Sequence, residues 1–560
     1  MKIKFAFFIP LLCILMSTQN AKSQDTYTLL GTTPGCLGFN GFIKTTTHIY
    51  AIMNCPSIGN QLYVSNGTEP LHVVKHMAAG LQGSIPENIL SVDNKLYFTI
   101  SDDVYGKELW VTDGTEDGTR MIRDIAVGTR GSQPSYLEEM NDIIYFNAYS
   151  FEYGEELWRT DGTMNGTYPI ADLYEGSNGG LNSNRDIHAH NNTIFFGAES
   201  SNNSVSVELY KTDGTEEGTV LVKDINTVPF PSSTHTQPSF PKYFFSYGNI
   251  VLFSADDGVH GIELWKTDGT AAGTVMIKDI NPGLADSKPL ETESAQHNSF
   301  LYNNEVYFSA NDGVHGCELW KTDGTEAGTV MVKETNTDPV TTYNPSNGNP
   351  SRMIVYNNKL YYQSYTNGIT NLGFQAWESD GTTEGTTQLT DYLSNNTSYP
   401  FAVCNDLLYM STTYPMYFLM KYNGTTIDTV SNQTNQDKYL TRNNFPVCFN
   451  NYLYVNAASV SIGTDDHYGT WKIGDPSITT ATKNETLEDN TSYIVTTSQL
   501  EILTPDTILE IKIINTAGRE INAPRIDNNT LDISGLPNGM YIIKTNTDTK
   551  TLTKKIILTK

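Results

Sequence analysis

Residues 318–333 read ELWKTDGTEAGTVMVK, and residues 263–278 read ELWKTDGTAAGTVMIK. A string spelled twice in one chain is either a site or a building block, and how often it recurs decides between them. Aligned on Asp-Gly-Thr, the pattern returns at Asp113, Asp161, Asp213, Asp268, Asp323 and Asp380, at spacings of 48, 52, 55, 55 and 57 residues. Weaker copies extend the series, LYVSNGTEP around Asn66, LMKYNGT around Asn423 and TWKIGD around Trp471, which brings the recognisable units to nine. A catalytic centre needs its groups once, whereas a stacked architecture needs its packing groups in every copy, so the motif reads as a building block.

Each unit carries more than the motif. An Asn-rich turn and an aromatic run precede it, as in DNKLYF from 93, NDIIYF from 141, NNTIFF from 191, NNEVYF from 303, NNKLYY from 357, NDLLYM from 405 and NNYLYV from 450. A short apolar piece such as MIVYN lies before that turn, and GTVMVK follows Asp-Gly-Thr. The unit therefore predicts four strands: A, a tight hairpin, B with its Tyr-Phe, a loop, C with Glu-Leu-Trp, the Asp-Gly-Thr turn, and D. Many copies of four antiparallel strands are the signature of a β-propeller. We expect an all-β protein, a propeller of four-stranded blades over residues 24–490, eight or nine in number with nine the best count, followed by a small Ig-like β-sandwich over residues 491–560.

All six tryptophans, Trp110, Trp158, Trp265, Trp320, Trp377 and Trp471, share one position on strand C, and Tyr63 and Tyr210 fill it in two other units. A residue that repeats with the blade is expected to pack sheet on sheet. In the turn, Asp closes an Asx turn and Gly supplies a positive φ. The recurring Glu108, Glu156, Glu208, Glu263 and Glu318 are more demanding, because a carboxylate on a covered strand needs a partner; Lys or backbone amides of the next blade are the expected donors. Gln375 replaces this Glu in one unit.

The first residues, MKIKFAFFIPLLCILMSTQNAKSQ, place Lys2 and Lys4 before an apolar run from Phe5 to Met16 and then Ala21-Lys22-Ser23, the layout of a signal peptide over residues 1–23. Cys13 lies in the run, but Leu12 stands where a lipid-attachment motif has a small residue. No other stretch approaches the ~20 apolar residues that span a bilayer as a helix. Five further cysteines, Cys36, Cys55, Cys317, Cys404 and Cys448, are too few for a disulfide framework; Cys36 with Cys55 is the expected bridge if there is one, and Cys317 the place of a small buried hydrophobe. The formal charge of −27 becomes −30 once Lys2, Lys4 and Lys22 leave with the signal peptide. Residues 491–560 hold eight Lys/Arg against seven Asp/Glu, so the acid lies in the larger part, which disfavours nucleic acid and anionic membranes as partners.

With these residues in view, the units resemble the ELWxxDGT repeat family of secreted bacterial proteins, a resemblance that implies a propeller and no assigned activity. The segments LEIKIINTAGREI from 509, LDISGLPNGMYIIK from 531 and TLTKKIILTK from 551 resemble the type A C-terminal sorting domain of the type IX secretion system of Bacteroidetes, although no Pro-Asn-Pro opens the segment. That resemblance implies export, with the type IX machinery as partner and release or attachment at the cell surface. The strand TYTLLGTT near Tyr27 is similar to a D strand and is expected to complete the last blade.

In a meander the A to B and C to D turns share one face, and the B to C and D to A loops the other. The second set is long and varied, as in NTVPFPSSTHTQPSFPK from 226 and NPGLADSKPLETESAQHN from 281, and is where recognition is expected. Its B to C loops hold Asp256, Asp257, Asn311, Asp312, Asp465 and Asp466, weak candidate oxygen ligands for Ca²⁺, while His260 and His315 are repeat-matched and read as loop packing. No nucleophile elbow, zinc helix or phosphate loop is present. Glu175, Asp286, Glu291 and Glu293 are unique loop carboxylates, yet spacing singles out no acid and base pair. The expected function is a non-enzymatic recognition or adhesion module for a glycan or protein, the alternatives being an extracellular glycan hydrolase or lyase and a structural surface component.

Overall fold

The computed structural model describes residues 26–32, 39–55, 59–76, 85–181, 186–201, 206–233, 235–291, 299–336, 347–366, 373–390, 398–412, 419–430, 438–440, 446–459, 467–474, 492–495, 499–503, 508–515, 520–521, 523–525, 530–533, 536, 539–547 and 551–558. Residues 1–23, Cys36, Glu293, Asp465 and Asp466 lie outside the described residues, as does the side chain of Trp471. Among the described residues every regular element is a strand. Two compact units divide the chain, one over Tyr27–Ile473 and one holding Gly474–Lys560.

The larger unit contains eight four-stranded antiparallel sheets, each built from strands consecutive in sequence, and so forms a β-propeller. In one of them strands A to D are Ser299–Tyr302, Glu305–Asn311, Cys317–Thr322 and Val330–Lys333. The A to B turns are two-residue hairpins whose central residues take positive φ, as at Asn303 (φ 48°) and Asn304 (φ 59°), Asn191 (46°) and Asn192 (60°), and Asn357 (45°) and Asn358 (55°). That conformation matches the twist of the strands, and Asn tolerates it better than any other residue with a side chain except Asp, which explains the Asn-rich punctuation. Several A strands carry a bulge with a non-glycine residue at positive φ, among them Tyr136 (53°), Tyr243 (57°) and Arg352 (56°).

Each blade packs on the next through a dry core between sheets. Phe195, Leu209 and Val222 of one blade meet Val251, Phe253, Ala255 and Trp265 of the following one. Leu252, Leu264 and Ile277 then meet Val306, Phe308, Ala310 and Trp320. Trp158, Trp265, Trp320 and Trp377 are 3–6% exposed, and each packs against the preceding blade. The A strands of neighbouring sheets lie side by side, Ser135–Met140 between Glu87–Val92 and Ile187–His190, so they form the inner wall.

A five-stranded sheet ends the unit. It joins the N-terminal strand Thr26–Thr32 to His467–Gly474, which pairs with Tyr452–Ser459, flanked in turn by Lys438–Leu440 and Val447–Phe449. The chain start thus lies beside the last strand of the unit, where the TYTLLGTT segment is expected, and covers an edge that would otherwise be open. Phe449 and Tyr454 of this sheet share a core with Phe42, Ile49, Ala51, Met53 and Tyr63 of the first blade.

A bridge appears where the sequence reading placed none, while the expected Cys36–Cys55 pair involves Cys36, outside the described residues. Cys404 and Cys448 form a disulfide with a Cα to Cα distance of 5.4 Å, linking the inner strands of two neighbouring sheets. Each Cys lies just before an A to B turn, so the blade stacking itself brings the two together. Cys317 is half-buried and takes no part in a disulfide. The smaller unit has a three-stranded and a four-stranded sheet around one core of Leu500, Ile508, Ile513, Leu531, Ile533, Leu536, Tyr541 and Ile543.

The disulfide closes a loop with a sequence separation of 44. Cys404→Ser or reduction is expected to lower stability by roughly 2–4 kcal/mol, most of it from freeing the unfolded chain. Urea unfolding with and without reductant measures this; coincident curves would contradict a stabilising bridge.

Candidate functional site

The Asp-Gly-Thr turn is closed on itself. Asp268 Oδ1 accepts from the backbone N–H (2.9 Å) and hydroxyl (2.7 Å) of Thr270, Thr270 Oγ1 accepts from Gly273 N (3.0 Å), and Thr274 Oγ1 donates to Thr270 O (2.7 Å). Thr267 Oγ1 accepts from Gly269 N at 3.0 Å. The same bonds recur around Asp323. These hydrogen bonds hold each carboxyl of Asp113, Asp161, Asp213, Asp268, Asp323 and Asp380 below its ordinary range. The turn also grips the preceding blade: Lys211 and Lys266 Nζ donate to Gly269 O and Gly324 O, each at 2.8 Å, and Lys278 Nζ donates to Thr329 O at 2.8 Å. Gly214, at φ +94°, sits where an added Cβ would lie 2.3 Å from the Tyr145 hydroxyl of the preceding blade, so glycine is required by both conformation and space.

The recurring Glu is spent on structure as well. Glu108, Glu156, Glu208, Glu263 and Glu318 are fully buried. Their donors are backbone amides of the D to A loop leaving their own blade, not Lys or the next blade's sheet. Glu263 accepts from Ile280 N (2.8 Å), Asn281 N (3.3 Å) and Ser287 N (3.2 Å), and bonds the Ser287 hydroxyl at 2.6 Å. Glu208 does the same with Ile225 N (2.8 Å), Ser239 N (3.1 Å) and Ser239 Oγ (2.6 Å). Burial pushes these carboxyls up, to about 7 for Glu108, Glu263 and Glu318 and about 8 for Glu156 and Glu208, against the pull of the amides.

The B to C and D to A loops share a face, since Gly258 lies against Asn226, Gly313 against Asn281 and Gly106 against Gly131. On that face Asp256 Oδ1 accepts from Gly258 N (2.7 Å), and Asp257 Oδ1 accepts from Val259 N and His260 N, both 2.9 Å. Asn311 and Asp312 close the next loop in the same way. His260 and His315 pair with Asp257 and Asp312 at 2.8 and 2.7 Å, which raises both imidazoles. Among the described residues no group of three or more His, Cys, Asp and Glu is placed to hold a metal ion. Asp286 is occupied with Ile262 N at 3.0 Å, Glu175 is exposed, and Glu291 stands 3.9 Å from Lys288. The loops carry exposed apolar tips, Val104 (62%), Val127 (73%), Phe151 (56%), Val259 (55%), Leu284 (78%) and Val314 (67%).

A second cluster lies on the inner wall, and sequence reasoning missed it. It joins the A strands Ser135–Met140, Ile187–His190 and Lys242–Tyr247 of three consecutive blades. Ser246 Oγ lies 2.8 Å from His188 Nε2 and 3.0 Å from His190 Nδ1. His188 Nδ1 approaches Glu138 Oε1 at 3.8 Å, and Asn191 Nδ2 lies 2.8 Å from His190 Nε2. His188 stacks on Phe244 with 6.4 Å between ring centroids and 11° between planes. Asp186 accepts from Tyr243 N at 2.6 Å; burial raises its carboxyl, nearby Glu138 adds to this, and His188 opposes it. No short-range signal marks the cluster, because it is assembled from the A strands of three different units.

Residues 496–559 match the family described as Secretion system C-terminal sorting domain. No curated protein matches the chain. Among solved structures, a puromycin hydrolase mutant complexed with PGG is similar at 9% identity and TM-score 0.37 over 70% of this chain, the match spanning 60% of the hydrolase. The β-propeller domain of the Trilobed protease from Pyrococcus furiosus is similar at 14% identity and TM-score 0.30, over 63% of this chain and 98% of that one. A quinohemoprotein alcohol dehydrogenase from Pseudomonas putida HK5 is similar at 10% identity and TM-score 0.33, over 90% and 79%. Likenesses this distant carry no functional argument.

The buried carboxyls set a pH dependence. A carboxyl raised in the folded state stabilises fully below its ordinary value near 4.5, and that stability is lost as pH rises through about 7 to 8. The lowered turn aspartates act in the opposite sense, their contribution being present above the ordinary value of 3.8 and lost as pH falls through the depressed one. The thermal midpoint is therefore expected to peak in mild acid and to fall towards pH 9, with a shallower alkaline fall in Glu263→Gln. An alkaline limb unchanged by that substitution would contradict the assignment. The 496–559 match shows that the chain carries a C-terminal sorting domain and is a secreted protein.

Proposed function

We propose that this protein is an exported recognition module, its propeller binding an extracellular glycan or protein through the B to C and D to A loops. The observation that carries this reading is the division of labour between the two faces. The Glu-Leu-Trp and Asp-Gly-Thr residues are consumed in packing and in bonds between blades, whereas on the opposite face the D to A loops differ from blade to blade and the B to C loops beside them hold exposed apolar tips such as Val259 and Val314 among carboxylates. In this reading the units belong to the ELWxxDGT repeat family of a Bacteroidetes bacterium, the five-stranded sheet is a ninth blade, and the smaller unit is an Ig-like sandwich. Residues 1–23 direct passage through the inner membrane, and the type IX machinery reads the C-terminal unit and delivers the propeller to the surface or the medium. The acidic charge of the larger part suits a soluble domain facing away from anionic lipid.

The mature protein on a glycan and extracellular-matrix array is expected to give a specific hit that Val259→Asp with Val314→Asp weakens at least tenfold while the thermal midpoint holds. Loss of the hit in chelator would add Ca²⁺ to the reading. A hit untouched by loop-tip substitution would contradict the assigned face, and a blank array would favour a structural surface component.

A further inference from the structure

The proton positions in the inner-wall cluster follow from its hydrogen bonds. The Asn191 side-chain NH₂ donates, so His190 Nε2, 2.8 Å away, accepts and His190 carries its proton on Nδ1. That Nδ1–H points at Ser246 Oγ at 3.0 Å and donates to it. The Ser246 hydroxyl proton is then left to donate to His188 Nε2 at 2.8 Å. His188 in turn holds its proton on Nδ1, facing the Glu138 carboxylate at 3.8 Å. One assignment satisfies every contact: a serine hydroxyl donating to an imidazole whose far nitrogen faces a carboxylate. This order of groups is what activates a hydroxyl as a nucleophile.

Three further features separate the cluster from a packing contact. The groups stand on neighbouring inner strands, which hold them more rigidly than loops do. They remain reachable, with His188 20% and Glu138 35% exposed and Ser246 half-buried. Other blades put Leu301 or Val355 at the position of Ser246, so blade stacking itself does not demand a serine.

We propose that Ser246, His188 and Glu138 form a nucleophilic site for acyl transfer from a carboxylic ester to water. Ser246 Oγ attacks the ester carbonyl carbon while its proton passes to His188 Nε2. The tetrahedral adduct then collapses with cleavage of the bond between carbon and the alcohol oxygen, and that oxygen takes the proton from His188. A solvent water next attacks the acyl-serine, giving its proton to His188. When the bond to Oγ breaks, the carboxylic acid leaves and Oγ recovers the proton. Glu138 is a positioning residue that orients His188 and stabilises its cationic form, which requires the 3.8 Å approach to tighten in the complex. This goes beyond recognition by the loop face, which needs no nucleophile.

The test is exposure of the intact protein to a fluorophosphonate, with mass spectrometry of the labelled peptide, and turnover of p-nitrophenyl acetate. The expected label lies on Ser246, with hydrolysis lost in Ser246→Ala. Glu138→Gln is expected to slow labelling at least tenfold while the thermal midpoint stays unchanged, a split that a purely structural role does not produce. Absence of label, label on another residue, or hydrolysis that survives Ser246→Ala in folded protein would overturn the proposal and leave Ser246 as a bridge between two histidines. The labelling arm on unsubstituted protein decides the matter even if Ser246→Ala fails to fold, and it is independent of the array.

Discussion

The larger unit depends on a carboxyl group buried between sheets and satisfied by loop amides. Strand C carries Glu108, Glu156, Glu208, Glu263 or Glu318, none of which reaches water, and each captures the backbone of the loop that leads out to the following blade. A buried polar group without a partner costs about 1–3 kcal/mol, and a charged one more, so the loop must adopt the conformation that presents its N–H groups. One side chain per blade thereby fixes the path to the next blade. The Trp on the same strand covers the preceding one, and Lys on strands C and D reaches the turn of the following one.

This arrangement explains why the repeated motif is mute about chemistry. Asp268, Thr270 and Thr274 satisfy one another within a few residues, and Lys266 spends its charge on a carbonyl of the next blade. What is left for function is whatever differs between blades. Two places differ: the loop face with Leu284 and Phe151 at its tips, and the inner wall, where Glu138, His188 and Ser246 replace apolar neighbours.

The sheets were legible because their cues are local. Asn303-Asn304 before a Tyr-Phe strand, and Asp323-Gly324-Thr325 after Trp320, lie within one hairpin each, where spacing and residue type carry the conformation. The partners of Glu263 were not, since Ile280 and Ser287 sit in loops without periodicity. A signal did exist in the serine that follows Glu108 and Glu263 at a separation of 24 residues in both blades. Cys404 and Cys448 were passed over for a similar reason. Their pairing depends on two inner strands lying side by side, and becomes visible only once both are seen to precede an Asn turn in successive units. The inner-wall cluster is the extreme case, as Glu138 and Ser246 meet through His188 only because three A strands stand in a row.

The central claim is that loop amides are locked by buried carboxyls, and native-state hydrogen exchange measures it directly. The N–H groups of Ile280 and Ser287 lie in a surface connection, yet both point at Glu263. The account predicts that they exchange only with global unfolding of the blade, at rates matching the core amides of strand C, and that Glu263→Ala releases them selectively. Exchange of these two amides at the rate of exposed loop amides in the unsubstituted protein would contradict it.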